Sequence, residues 1–150
     1  MTALTDTFEA KRQDGHLIDY EVKAAQNIYK GAIVCVKHTT DGYLYAALST
    51  QASDYLFAGI AAENSLVASV TTDTQGLRRA RVFRNGVFEL VTSGDLTQAV
   101  VGEKVYAEDD NTVGTTTTHA LYVGIVVEYV SSTRVKVDIG PGVNEYTLTA

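Results

Sequence analysis

A chain of 150 residues with net charge −6, 45% hydrophobic and 20% charged residues, has the balance of a folded globular domain, long enough to bury a core without disulfide or metal staples. Its acidity speaks against generic attachment to nucleic acid or anionic membranes, both negative themselves, and no apolar run nears the roughly 20 residues of a membrane-spanning helix. The single cysteine, Cys35, closes no internal disulfide and fits folding in a reducing cytoplasm, with no basic-then-apolar leader at the N-terminus.

Residues 1–16 are polar and aperiodic, with Leu4 and Phe8 as apolar anchors, and read as an N-terminal arm too poor in apolar content to fold alone. Ile18, Tyr20, Val22 and Ala24 then alternate with Asp19, Glu21 and Lys23, which predicts a strand over 17–24 with one wet and one dry face. Further strands are predicted over 31–37, 43–48, 56–62, 66–72, 78–84, 86–91, 103–107, 121–130 and 133–139. Turn signals fall at Asp14-Gly15, Asp41-Gly42, Asn85-Gly86 and Ser93-Gly94, and Asn85-Gly86 marks the strongest hairpin. Helix evidence is confined to 93–100, a turn or two capped by Ser93 or Asp95. Thr115 to Thr118 reads as an extended polar loop. Residues 140–150, from Gly140-Pro141-Gly142 onward, read as a turn and a C-terminal tail. Tyr146 and Leu148 alternate there with Glu145 and Thr147, a pattern suited to an added edge strand in this or a neighbouring subunit.

The middle of the chain repeats itself. Gly31-Ala32-Ile33-Val34-Cys35-Val36, the Asp41-Gly42 turn and Leu56-Phe57-Ala58-Gly59-Ile60-Ala61-Ala62-Glu63 form one statement. Gly102-Glu103-Lys104-Val105-Tyr106-Ala107, the Asp109-Asp110-Asn111 turn and Leu121-Tyr122-Val123-Gly124-Ile125-Val126-Val127-Glu128 form the second. Two similar β modules predict an all-β fold, a small β-barrel or β-sandwich over residues 17–139. Gly59 and Gly124, each inside an apolar strand, are expected at a bulge or a close backbone approach.

Residues able to carry chemistry are sparse. His16, His38 and His119 have no second histidine at ligand spacing, and Cys35 between two valines reads as a buried small hydrophobe. Asp109-Asp110-Asn111 lacks the register of a calcium loop and reads as an acidic turn. No nucleophile elbow, phosphate loop or dinucleotide fingerprint occurs, so the sequence supports neither an enzyme, nor a metal, nor a cofactor. One electrostatic feature stands out: Arg78, Arg79, Arg81 and Arg84 fall within seven residues. Strand geometry places Arg79 and Arg81 on one face and Arg78 and Arg84 on the other. The plain reading is a solvated edge strand; the sharper one is a docking stripe for carboxylates on another protein.

The Gly31–Val36 strand, Phe57-Ala58-Gly59-Ile60-Ala61, Asn85-Gly86-Val87-Phe88-Glu89-Leu90, Val101-Gly102-Glu103-Lys104-Val105-Tyr106, Tyr122-Val123-Gly124-Ile125-Val126 and Arg134-Val135-Lys136-Val137-Asp138-Ile139 run in sequence over about residues 28–139. In that order they resemble the capsid cement, or head decoration, proteins of tailed bacteriophages. The resemblance implies a structural virion protein, made in the host cytoplasm, that sits on the outside of the head as a trimer or similar homo-oligomer and pins major capsid protein subunits together. It implies no catalytic residue and no cofactor. This chain departs from leaner members in its N-terminal segment and in residues 140–150, so Leu4, Phe8 and the four arginines become the expected capsid contacts. The alternative is a carbohydrate- or receptor-binding β module of a phage tail or host surface, suggested by nine tyrosines, although tryptophan is absent.

Overall fold

The computed structural model describes residues 3, 5–7, 13, 15–38, 40–48, 54–67, 77–94, 96–116 and 121–144. Ten strands follow one another: β1 (Leu17–Glu21), β2 (Ile33–Lys37), β3 (Leu44–Ala46), β4 (Tyr55–Ala61), β5 (Arg79–Phe83), β6 (Val87–Thr92), β7 (Lys104–Ala107), β8 (Thr112–Gly114), β9 (Tyr122–Ser131) and β10 (Arg134–Asp138). A single 3-10 turn (Gln98–Val100) and a short helix α1 (Gly140–Asn144) complete the described elements. The fold is all-β, as the alternating pattern predicted.

The strands form two units with one topology. The first is a five-stranded sheet in the order β1-β5-β4-β2-β3; the second, read from β6, runs β6-β10-β9-β7-β8 and closes into a barrel. Closure comes from parallel pairing of β6 with β8 at Val91↔Thr112 and Thr92↔Val113. The first sheet curls far enough for its outer strands to meet at one parallel bridge, Val22↔Leu44.

Register confirms the equivalence residue by residue. In the first unit Ile33 pairs with Ile60, Val34 with Gly59 and Cys35 with Phe57, which leaves Ala58 as a bulge. In the second Lys104 pairs with Ile125, Val105 with Gly124 and Tyr106 with Tyr122, which leaves Val123 as the bulge. Each bulge turns the strand beside its glycine onto the next strand of the sheet.

Side-chain alternation divides the core in two. Val34, with Val22, Leu44, Ala58, Ala80 and Val82, fills the first unit. Its neighbours Ile33 and Cys35 point the other way, and with Phe57 and Ile60 they join the core of the second unit around Val105, Val113, Val123, Val135 and Val137. Main-chain pairing welds this junction, since the amide of Ile33 donates to the carbonyl of Asp110 at 2.6 Å. Helix α1 packs on both β4 and β9, carrying Val143 onto the same core.

The structure departs from the sequence pattern at four places. Strand β8 was not expected, because Thr112-Val113-Gly114 is too short to show a period. The first strand ends at Glu21, and Ala25 in the turn after it has a positive φ of 66° that no strand continues through. The 93–100 segment supplies only the 3-10 turn, capped by Thr97 rather than Ser93; Asp95 lies outside the described residues. Gly140 to Asn144 is helical where a turn was expected, a run that Pro141 suits with its fixed φ near a helix start. Most of the predicted 66–72 strand, His119, Tyr146 and Leu148 lie outside the described residues.

Candidate interaction surface

The four arginines occupy three environments. Strand β5 is not an edge, because β1 and β4 pair with its two sides. Arg79 and Arg81 project to solvent, while Ala80 and Val82, which alternate with them, are buried. Arg79 reaches Asp19 at 2.8 Å and Glu21 at 3.4 Å across the β1 ladder. Arg81 donates through Nε and Nη2 to Glu63 at 3.2 and 3.1 Å. The Arg81 hydrogen bond, side chain first and backbone second, holds the Glu63 carboxyl below its ordinary range. This face therefore carries interleaved charge, two arginines among three carboxylates.

Arg78 is committed to its own chain. Its guanidinium donates to the carbonyls of Ser65 (3.0 Å) and Gln26 (2.8 Å), to the Ser65 hydroxyl (3.2 Å) and to the Lys23 carbonyl (3.4 Å). It ties together loops that the Ile28↔Ser65 bridge also joins. Arg84 is half-buried, and its Nε finds no acceptor among the described residues. Leu4 and Phe8 lie outside the described residues.

A network invisible in the sequence lies at the end of the first unit. The Asp41 carboxylate accepts from the Tyr45 hydroxyl at 2.6 Å, from Lys23 Nζ at 3.1 Å and from the Tyr43 amide at 3.0 Å. Burial pushes this carboxyl up, but the Tyr45, Tyr43 and Lys23 hydrogen bonds outweigh it and hold Asp41 below its ordinary value. Burial, then the bond to Asp41, pushes the Tyr45 phenol up. Tyr45 meets Tyr55 edge-on at 5.3 Å, and Lys37 stands 5.5 Å from the Tyr55 ring. The Asp41-Gly42 turn signal was the only hint of it.

The Asp109-Asp110-Asn111 turn is structural in origin. Asp109 accepts from the amides of Asn111 (2.9 Å) and Thr112 (2.7 Å), the side-chain cap of an Asx turn. His16 bonds the side chain of Asn85, in the turn that leads from β5 to β6. Among the described residues no group of three His, Cys, Asp or Glu is placed to hold a metal ion.

The fold is thus a duplicated β architecture, with ion pairs across the outer face of β5 and its one cysteine sealed in the core. The sequence profile of the phage cement protein family matches residues 12–140, and the chain belongs to that family. Membership gives it a structural role as a capsid-associated component of a phage virion. No protein of curated function matches the sequence.

Proposed function

We propose that this protein binds the outer surface of a phage capsid, with the major capsid protein as partner, and stabilises the lattice as a homo-oligomer, most simply a trimer. The family match over residues 12–140 carries the reading. The polar N-terminal segment supplies an arm that inserts Leu4 and Phe8 between capsid subunits. Arg79 and Arg81 supply charge-assisted contacts to capsid carboxylates. Their present pairs lie at the surface, with Asp19 exposed and Glu63 half-buried, and such pairs contribute only about 0–1 kcal/mol, so exchange for a capsid partner is cheap. Arg78, on the opposite side of the strand, ties together loops of the unit that presents them.

Undecorated particles provide the test. Deleting residues 2–12, and separately changing Arg79→Glu with Arg81→Glu, should each weaken decoration and lower the temperature at which particles open. The arginine contribution should fade as salt rises. Full decoration and heat protection by both variants would place docking elsewhere on the barrels.

A further inference from the structure

The duplication exposes a surface that the first unit hides. On the outward side of β2 and β4, Ile33, Cys35, Phe57 and Ile60 are 0%, 0%, 6% and 3% exposed, because the second unit covers them. The same four positions in the second unit, fixed by register, are Lys104, Tyr106, Tyr122 and Ile125. There Lys104 is exposed and the other three are half-buried. The tyrosine rings lie 5.8 Å apart, with the Lys104 ammonium 5.3 Å from the Tyr122 ring. Tyr106 stands opposite Gly114 on its other side, a neighbour without a side chain.

The exchange of residue types is chemically directed. Isoleucine, cysteine and phenylalanine suit a face that is never wet; lysine and tyrosine suit one wet part of the time, because each joins a large apolar body to a polar tip. Tyrosine is also enriched at the centres of protein interfaces. Charge argues against a partner recognised by one sign, since Lys104 stands at one end of the face and the Glu108 carboxylate lies over Gly114, opposite Tyr106, at the other. In the first unit the occupant of this face is another barrel of the same architecture.

We infer that the Lys104–Tyr106–Tyr122–Ile125 face is a docking surface for a second copy of this chain. This deepens the homo-oligomer reading above and rests on it. Sedimentation of the full chain over a range of concentrations, without capsid, reads it out. The parent should associate at micromolar concentration. Tyr106→Asp and Lys104→Glu should each weaken association, Tyr106→Asp by about tenfold or more, with the melting of the dilute, dissociated protein unchanged. Arg79→Glu, on the outer face of the first unit, should leave association as it was. A benzophenone amino acid replacing Tyr106 should cross-link two copies on illumination, which decides the matter even if Tyr106→Asp fails to fold. An oligomer that Lys104→Glu and Tyr106→Asp leave intact, with no copy-to-copy cross-link, overturns the face while leaving the oligomer reading standing. A parent that stays monomeric throughout overturns both.

Discussion

Gly59 and Gly124 face the same obstacle. A Cβ on Gly59 would fall 2.0 Å from the carbonyl oxygen of Phe83, and one on Gly124 would fall 2.1 Å from that of Asp138. Phe83 ends β5 and Asp138 ends β10, so the two glycines let equivalent strands cross at equivalent points. The obstacle is main chain, which cannot step aside as a side-chain tip can.

Gly59→Val and Gly124→Val should therefore each destabilise the fold by at least about 1–3 kcal/mol, the range for overpacking a tight core. Gly59 carries a further cost, because its φ of 141° lies where a β-branched residue is strained. Urea melts of the two variants should show Gly59→Val as the weaker. An undiminished midpoint in either would break the equivalence of the units.

Cys35 is wholly buried, and its Sγ lies 3.7 Å from the Tyr45 carbonyl. Burial pushes its thiol up to about 12, so thiolate is scarce at neutral pH. A thiol reagent should leave the native protein unlabelled and react at once after denaturation. Rapid labelling of folded protein would mean that the junction between the units opens readily.

The Asp41 network gives stability a pH dependence. Its folded carboxyl sits below its ordinary value, so its contribution is fully present above the unfolded value of about 4. That contribution is lost as pH falls through the folded value. Asp41→Asn should destabilise the protein at pH 7 by about 1–2 kcal/mol, by weakening charged hydrogen bonds to Lys23 and Tyr45. The difference from the parent should shrink as both are titrated towards pH 3. A gap that stays constant over that range would remove Asp41 from the account.

The alternating side chains of β1 and β10 and the two glycine-centred repeats made the strands and the duplication legible in the sequence. Partner choice was not legible, because a period of two says which face a residue takes and not which strand lies beside it. Arg79 finds Asp19 and Glu21 at separations of 60 and 58 residues, and Arg81 finds Glu63 at 18. Strand alternation divided the four arginines between two faces but named no partner for any of them. Likewise the repeat aligns Cys35 with Tyr106, each fifth in its glycine-led strand, yet nothing in it shows that the first would be covered by the second barrel and the other left half-buried.

The arginines should accordingly separate under substitution. Arg78→Ala removes a guanidinium that binds four acceptors in loops 23–26 and 65. Its loss should cost about 1.5–3 kcal/mol or more, since hydrogen bonds from a charged donor are the stronger kind and the acceptors stay half-buried. Arg79→Ala and Arg81→Ala break exposed pairs and should each move stability by no more than about 1 kcal/mol. On undecorated particles the order should invert: Arg79→Ala and Arg81→Ala should weaken binding, most clearly at low salt, where screening is least. Arg78→Ala, assayed below its melting temperature, should bind as the parent does. Equal melting for all three, or a binding defect confined to Arg78→Ala, would show that the division between a structural arginine and two docking arginines has been drawn at the wrong residues.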